Sequence, residues 1–242
     1  MRLLGIDFET TGLDPQKDEI TEIGYAVVDT DNYKKPLVLR SQLCSTQTAI
    51  PKEITTLTGI TNDLLSEVGV DVKSALVSLV STAKKYGVSH FVAHNAPFDR
   101  AFLEENIKKA KIDPFEISWI DTKKDIPWAI PIRNTSLITV AAEHGFLNPF
   151  PHAALFDVFT MLKVLGNYDI NEVIKFRDEQ VVFVRALVDF NNKDLAKKRG
   201  FFWQECEGKF FDKQWVKAIK ERYLDAELKA CTFDTKILNV SS

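Results

Sequence analysis

The stretch Asp7-Phe8-Glu9-Thr10-Thr11-Gly12 places two carboxylates at alternate positions of an apolar run made by Leu3, Leu4, Ile6 and Phe8. Such a run reads as a buried strand. Residues two apart in a strand share a face, so Asp7 and Glu9 project side by side. Two ionised carboxylates on a core strand repel, and leaving them buried and unpaired is unfavourable. A divalent cation removes the repulsion. Carboxylate oxygens suit Mg2+ or Mn2+, whereas Cys and His clusters suit zinc. The first strand is therefore expected to bind metal.

Two further acids have unusual settings. Asp99, in His94-Asn95-Ala96-Pro97-Phe98-Asp99, stands just inside a helix that follows a short apolar strand. Asp157, in His152-Ala153-Ala154-Leu155-Phe156-Asp157, stands in the first turns of another helix on an otherwise apolar face. Taken singly, either is equally well explained by the helix dipole, which favours an acid near an N-terminus. Taken together and in this order, Asp7-x-Glu9, Asn95-x-x-Phe98-Asp99 and His152-x-x-x-x-Asp157 resemble the three motifs of the DEDDh exonuclease family. That family includes the proofreading subunit of bacterial DNA polymerase III, exonuclease X and ribonuclease T. The resemblance covers residues 1–167, and Thr10-Thr11-Gly12 and Leu57-Thr58-Gly59-Ile60-Thr61 also fit it.

The resemblance implies a ribonuclease H-like α/β fold and a metal-dependent 3′-to-5′ exonuclease that releases nucleoside 5′-monophosphates. In-line cleavage of a phosphodiester needs a water activated at neutral pH and charge neutralisation on the leaving 3′-oxygen. Two divalent ions ~3.5–4 Å apart supply both. On the family's pattern Asp7 bridges two Mg2+ or Mn2+ ions, Glu9 and Asp157 complete the site of the water-activating ion, and Asp99 serves the second, partly through water. His152 takes the proton from the attacking water, a role that an unperturbed pKa of ~6.5 suits. Pro149-Phe150-Pro151 gives it a loop-like lead-in.

Thr10 and Leu57 are the substrate contacts the resemblance implies, at the terminal 3′-nucleotide and under its base. Leu57 and Ile60 read equally well as core. His90, His94 and His144 read as structural, as does Asp121, and Asn95 as a residue that fixes the loop before Asp99. The implied partner is a nucleic-acid 3′ end, with single-stranded DNA preferred. Oligoribonuclease relatives usually carry Glu-Met-Thr-Gly, whereas this chain has Glu9-Thr10-Thr11-Gly12. The alternatives are an exoribonuclease of the ribonuclease T kind and a polymerase-associated nucleic-acid-binding subunit. A glycosidase pair would require two acids in unlike environments, not four converging on metal.

The bulk properties set the surroundings. The net charge of −3 gives no global attraction to a polyanion, so any such binding must be local or metal-mediated. Hydrophobic residues at 45% and charged residues at 27% are those of a soluble globular protein. Cys44, Cys206 and Cys231 are too few and too far apart for a disulfide framework or a zinc site, which suits a reducing compartment. The N-terminal residues reach Asp7 too soon to hold a signal-peptide core, and no stretch approaches the ~18 apolar residues of a membrane span. A cytoplasmic chain without a membrane partner is expected.

The elements that must position these residues follow from periodicity. Leu3–Phe8, Glu19–Val28 and Leu37–Leu43 read as strands, the third antiparallel to the second across a turn at Asp31-Asn32. Asp71–Tyr86 is a helix closed by Gly87, His90–His94 a short strand, and Asn95 opens a helix to Ala110 with Pro97 in its first turn. Ile117–Ile120 is a strand, Thr135 caps a helix ending before Gly145, and Ala153–Leu165 is a further helix. The result is a mixed sheet flanked by helices, ending at residue 167.

Residues 168–242 form a separate small module. Val181–Asn191 is a strand or a buried helix. Between Lys193 and Arg222 nine basic residues face five acidic ones, interleaved with Phe201, Phe202, Trp203, Phe210, Phe211 and Trp215, with Tyr223 directly after. Lys198-Arg199-Gly200-Phe201-Phe202-Trp203 followed by Gly208-Lys209-Phe210-Phe211 reads as an aromatic-basic hairpin. It could bind strands through stacking and phosphate contacts, while most of its aromatics serve a small core.

Overall fold

The structure, a computed structural model, describes residues 1–128, 134–205 and 213–238. The chain divides into two compact units, Met1–Arg177 and Asp178–Ser242.

The first unit is built on strand β1 (Arg2–Thr10), whose side chains alternate between two cores. Leu4, Ile6 and Phe8 face one layer and Leu3 the other. β2 (Ile20–Asp29) pairs antiparallel with β1, and β3 (Val38–Leu43) antiparallel with β2. β4 (His90–Ala93) and β5 (Ser118–Asp121) continue the sheet in parallel, in the order β3-β2-β1-β4-β5. The mixed sheet anticipated from periodicity is thus present.

Helices α3 (Val72–Tyr86) and α4 (Ala96–Ala110) cover one face, packing Leu76, Leu79, Phe102 and Leu103 with Ile6, Ile23 and Tyr25. α5 (Leu137–Glu143), α6 (Ala154–Leu165) and α7 (Ile170–Asp178) cover the other, around Val158, Leu162 and Val173. Gly87 closes α3 at φ 58°, a left-handed conformation open to glycine. Two details differ from the sequence reading. Ser136, not Thr135, caps α5, its side chain accepting from the Thr139 amide. Two short helices, α1 (Lys52–Thr58) and α2 (Asn62–Val68), occupy a segment without apolar period. α7 packs Ile170 and Val173 into the core of the first unit, and the chain divides after Arg177, near the end of that helix.

The second unit is a four-stranded antiparallel sheet in the order β7-β8-β6-β9: β6 (Val181–Ala186), β7 (Phe202–Glu205), β8 (Lys213–Lys220) and β9 (Thr235–Leu238). Of the segment Val181–Asn191, the residues Val181–Ala186 are a strand, β6. With α8 (Lys193–Lys198) and α9 (Glu221–Ala230) the sheet encloses Val184, Ala186, Ala196, Phe201 and Ile219. β7 and β8 are the two arms of the expected hairpin. Gly208, Lys209, Phe210 and Phe211 lie outside the described residues. Among the described residues, no helix is long and apolar enough to cross a membrane.

Candidate active site

Asp7 and Glu9 project from the same face of β1, half-buried, while Phe8 between them is 4% exposed in the opposite core. That face looks toward α6. Gly24 on β2 stands directly opposite Asp7, and a Cβ there would lie 2.5 Å from the carbonyl carbon of Ala154. The absent side chain lets the first turn of α6 press onto the sheet, which carries Asp157 to the two acids of β1. Further along α6, Val158 and Leu162 cover Gly5, where a Cβ would lie 2.9–3.0 Å from their side chains.

Asp99 arrives from the other side of β1. The β1–β4 pairing runs only from Leu3↔His90 to Gly5↔Val92, and beyond it the Phe8 amide donates to Asp99 Oδ1 at 3.1 Å. Asn95 turns the chain from β4 into α4 in a left-handed conformation, φ 81°, and its amide donates to Asp121 Oδ1 at 3.0 Å. Asn95 and Asp121 therefore fix the loop before Asp99, as their sequence settings suggested.

His152 is carried by a loop wrapped around Asp157. The Asn148 side-chain amide donates to Asp157 Oδ1 at 2.6 Å, and the His152 backbone amide donates to Asp157 Oδ2 at 3.1 Å. Asn148 Oδ1 in turn accepts from the Phe150 amide at 3.0 Å, closing the loop on itself. His152 has φ 63°, a left-handed backbone uncommon outside glycine. Ligand atoms of Glu9, His152 and Asp157 all lie within 4.8 Å of one another.

A fifth carboxylate, Glu22, was missed in the sequence reading. It is 8% exposed, pairs across the β1–β2 ladder with Glu9, and accepts from the Ala154 amide at 3.2 Å and from Ser41 Oγ at 2.6 Å. It thereby holds the N-terminus of α6, whose own N-cap residue Ala153 offers no side-chain hydrogen bond. Its signal was present: an acid inside an apolar strand, like Asp7. Asn148 had no such signal, since an asparagine in a loop reads only as a turn.

The electrostatics of the cluster are those of too many carboxylates in one place. Burial, followed by repulsion from Asp157, Glu22 and Asp99, lifts Glu9 to about 8. Burial also lifts Asp99 to about 8, against the opposing pull of its backbone hydrogen bonds. Asp7 is raised well above the ordinary range by burial and then by Asp99, Glu9 and Asp157. Asp157 is raised less, because the His152 and Asn148 contacts favour its charged form. An oxygen-rich cluster whose charged form burial and mutual repulsion disfavour fits hard divalent cations. Asp7, Glu9, Asp99 and Asp157 are the residues that could hold them.

The remaining candidates are placed differently. Thr10 is 7% exposed and its hydroxyl donates to the Gly12 carbonyl at 2.6 Å, so its side chain shapes the turn after β1. Leu57 is 50% exposed on α1, while Ile60 is core with Ile50 and Leu65. His94 bonds Thr122 and the Thr135 carbonyl, and His144 bonds the Val140 carbonyl and Tyr168. His90 bonds Ser89 beside it. All three have the structural roles expected of them.

Residues 4–165 match the family model described as Exonuclease. The PolC-type DNA polymerase III of Thermotoga maritima is 33% identical over 188 residues, covering 72% of this chain. The chain spans only 13% of that polymerase. Two solved structures share the fold. The nuclease domain of 3′hExo, a DEDDh family member bound to rAMP, matches at TM-score 0.59 and 19% identity over 69% of this chain and 90% of that one. Exonuclease I matches at TM-score 0.67 and 12% identity over 96% of this chain and 68% of that one. With the family match spanning the whole sheet and the helices that bring Asp99 and Asp157 to β1, this chain belongs to the DEDDh 3′-5′ exonucleases.

Proposed function

We propose that the chain is a metal-dependent exonuclease that removes nucleotides from the 3′ end of single-stranded DNA as nucleoside 5′-monophosphates. The observation that carries this reading is the approach of Glu9, His152 and Asp157 within 4.8 Å, in a cluster whose other acids, Asp7 and Asp99, are raised by burial and by neighbouring carboxylates. Bound there, two Mg2+ or Mn2+ ions supply an activated water and neutralise charge on the leaving oxygen. Asp7, Glu9, Asp99 and Asp157 hold the ions. His152 accepts a proton from the attacking water on its imidazole, while the new phosphorus–oxygen bond forms and the bond to the 3′-oxygen breaks. The hydrogen bonds from Asn148 and the His152 amide to Asp157 keep the imidazole's loop registered to the acids. The turn around Thr10 and the exposed Leu57 side chain border the terminal nucleotide.

DNA is favoured by the likeness to a PolC-type DNA polymerase, and RNA by the likeness to a nuclease solved with rAMP. A competition between matched DNA and RNA oligonucleotides, each 5′-labelled, decides between them. DNA consumed first, with 5′-mononucleotides as the sole products by chromatography, supports the proposal. RNA consumed first gives the ribonuclease T kind of enzyme. Strands that bind but are never shortened leave only a binding subunit.

A further inference from the structure

The structure sorts the aromatic and basic residues of the second unit into a scaffold and a surface. Phe201 is 2% exposed and meets Phe233 inside the small core. Arg199 and Lys217 both pair with Glu227, at 2.7 and 3.0 Å, and Lys217 also caps the Arg199 carbonyl. Arg222 pairs with Glu179. These side chains hold the unit together.

Trp203 does not. It is 55% exposed on β7, the edge strand of the sheet. Trp215 stands directly opposite it in the antiparallel β7–β8 ladder, with ring centroids 5.5 Å apart and planes at 54°. Cross-strand partners share a face, so the two indoles form one continuous aromatic surface. Trp215 is half-buried against the core and fixes that surface in place. Cations surround it. Lys213, two residues before Trp215 on β8 and so on the same face, is exposed. Lys197, near the end of α8, reaches to 5.8 Å from the Trp215 ring centre and 3.5 Å from Asp194.

A large exposed aromatic on an edge strand invites aggregation unless something uses it. Rigid aromatic faces flanked by lysines are what a single nucleic-acid strand recognises: bases stack on the rings whatever their identity, and phosphates meet the ammonium groups. We propose that the Trp203–Trp215 face, with Lys197 and Lys213, is a stacking platform for single-stranded DNA. The choice of DNA as its occupant rests on the exonuclease reading above.

The test uses the full chain in EDTA, so that no strand is consumed, with a fluorescein-labelled oligothymidylate as probe and anisotropy as readout. Trp203→Ala weakens binding about 5- to 150-fold, the loss of one stacked base, and Trp203→Phe recovers most of it. The double variant Lys197→Gln/Lys213→Gln lowers the slope of log affinity against log salt by about 1.4. Its fold is secure because both lysines are solvent-exposed. Every variant hydrolyses the p-nitrophenyl ester of thymidine 5′-monophosphate, which reaches only the active site, at the wild-type rate in Mn2+. Unchanged affinity in Trp203→Ala, or an unchanged salt slope in the lysine variant, overturns the platform. If Trp203→Ala unfolds the unit, the lysine variant decides alone. Oligouridylate bound much more tightly than oligothymidylate overturns DNA as the occupant. A wild-type chain that binds the strand but leaves the ester intact refutes the exonuclease reading and not the platform.

Discussion

Without metal, the acid cluster should weaken the protein, and replacing Glu9 by glutamine should strengthen it. Glu9 is raised from 4.5 to about 8, so the folded site holds a proton that the unfolded chain has already released near pH 5. The folded state binds more protons across this interval, and stability falls as pH climbs from about 5 to about 8. At ~1.36 kcal/mol per pH unit the full rise corresponds to about 5 kcal/mol. Solvent screening at a half-buried side chain brings the expected effect to about 2–3 kcal/mol. For a unit of this size that is about 4–12 °C in Tm. Asp7, Asp99 and Asp157 are all raised and act in the same direction. Glu19 and Glu227, which hydrogen bonds hold below the usual range, act oppositely and only at lower pH. Thermal unfolding in EDTA from pH 5 to pH 8.5 reads the effect. The wild type should lose Tm over that range, Mg2+ should restore it, and Glu9→Gln should melt higher than wild type at pH 8 while losing nuclease activity. A flat wild-type profile, or a Glu9→Gln variant that melts lower at pH 8, would refute the reasoning.

Three substitutions probe the supports of the site. Asn148→Ala removes a hydrogen bond to a charged oxygen, an interaction of about 1.5–3 kcal/mol, and should lower kcat about 10- to 100-fold with KM nearly unchanged. Steady-state kinetics on oligothymidylate check this, and a rise confined to KM would count against a role in placing His152. Gly24→Ala forces a methyl group to within 2.5 Å of the Ala154 backbone, so α6 must shift; a loss of about 1–3 kcal/mol and weaker Mn2+ binding by calorimetry are expected. Leu57→Ala, at a side chain that is 50% exposed, should leave stability within about 0.5 kcal/mol while raising KM several-fold. Loss of stability without a change in KM would make Leu57 merely structural.

Much of this was legible because strong local patterns and the tertiary fold agree. The alternation around Asp7 and Glu9 fixes the face they share, and α3 and α4 carry their apolar stripes and end signals where the helices lie. Residues 52–68 were opaque for a physical reason. α1 buries none of its residues and α2 only Leu65, so neither leaves an apolar period to read. Glu22 was legible in principle but overlooked, because its meaning depends on the β1–β2 register that places it beside Glu9. Asn148 was invisible, since its partner Asp157 lies nine residues on and only the folded loop joins them. In the second unit, composition alone could not separate Phe201, which is core, from Trp203, which is surface. Strand register and burial make that division.

The central claim is that the acids gathered on β1, α4 and α6 degrade DNA from its 3′ end with the help of metal. Digestion of a 5′-labelled single-stranded oligonucleotide by wild type and by Asp7→Ala, in Mg2+, Mn2+ or EDTA, tests it most directly. A ladder that shortens stepwise from the 3′ end in either metal, absent in EDTA and in the variant, is the predicted result. A ladder that persists in EDTA or in Asp7→Ala, or cleavage that begins within the strand, would contradict it.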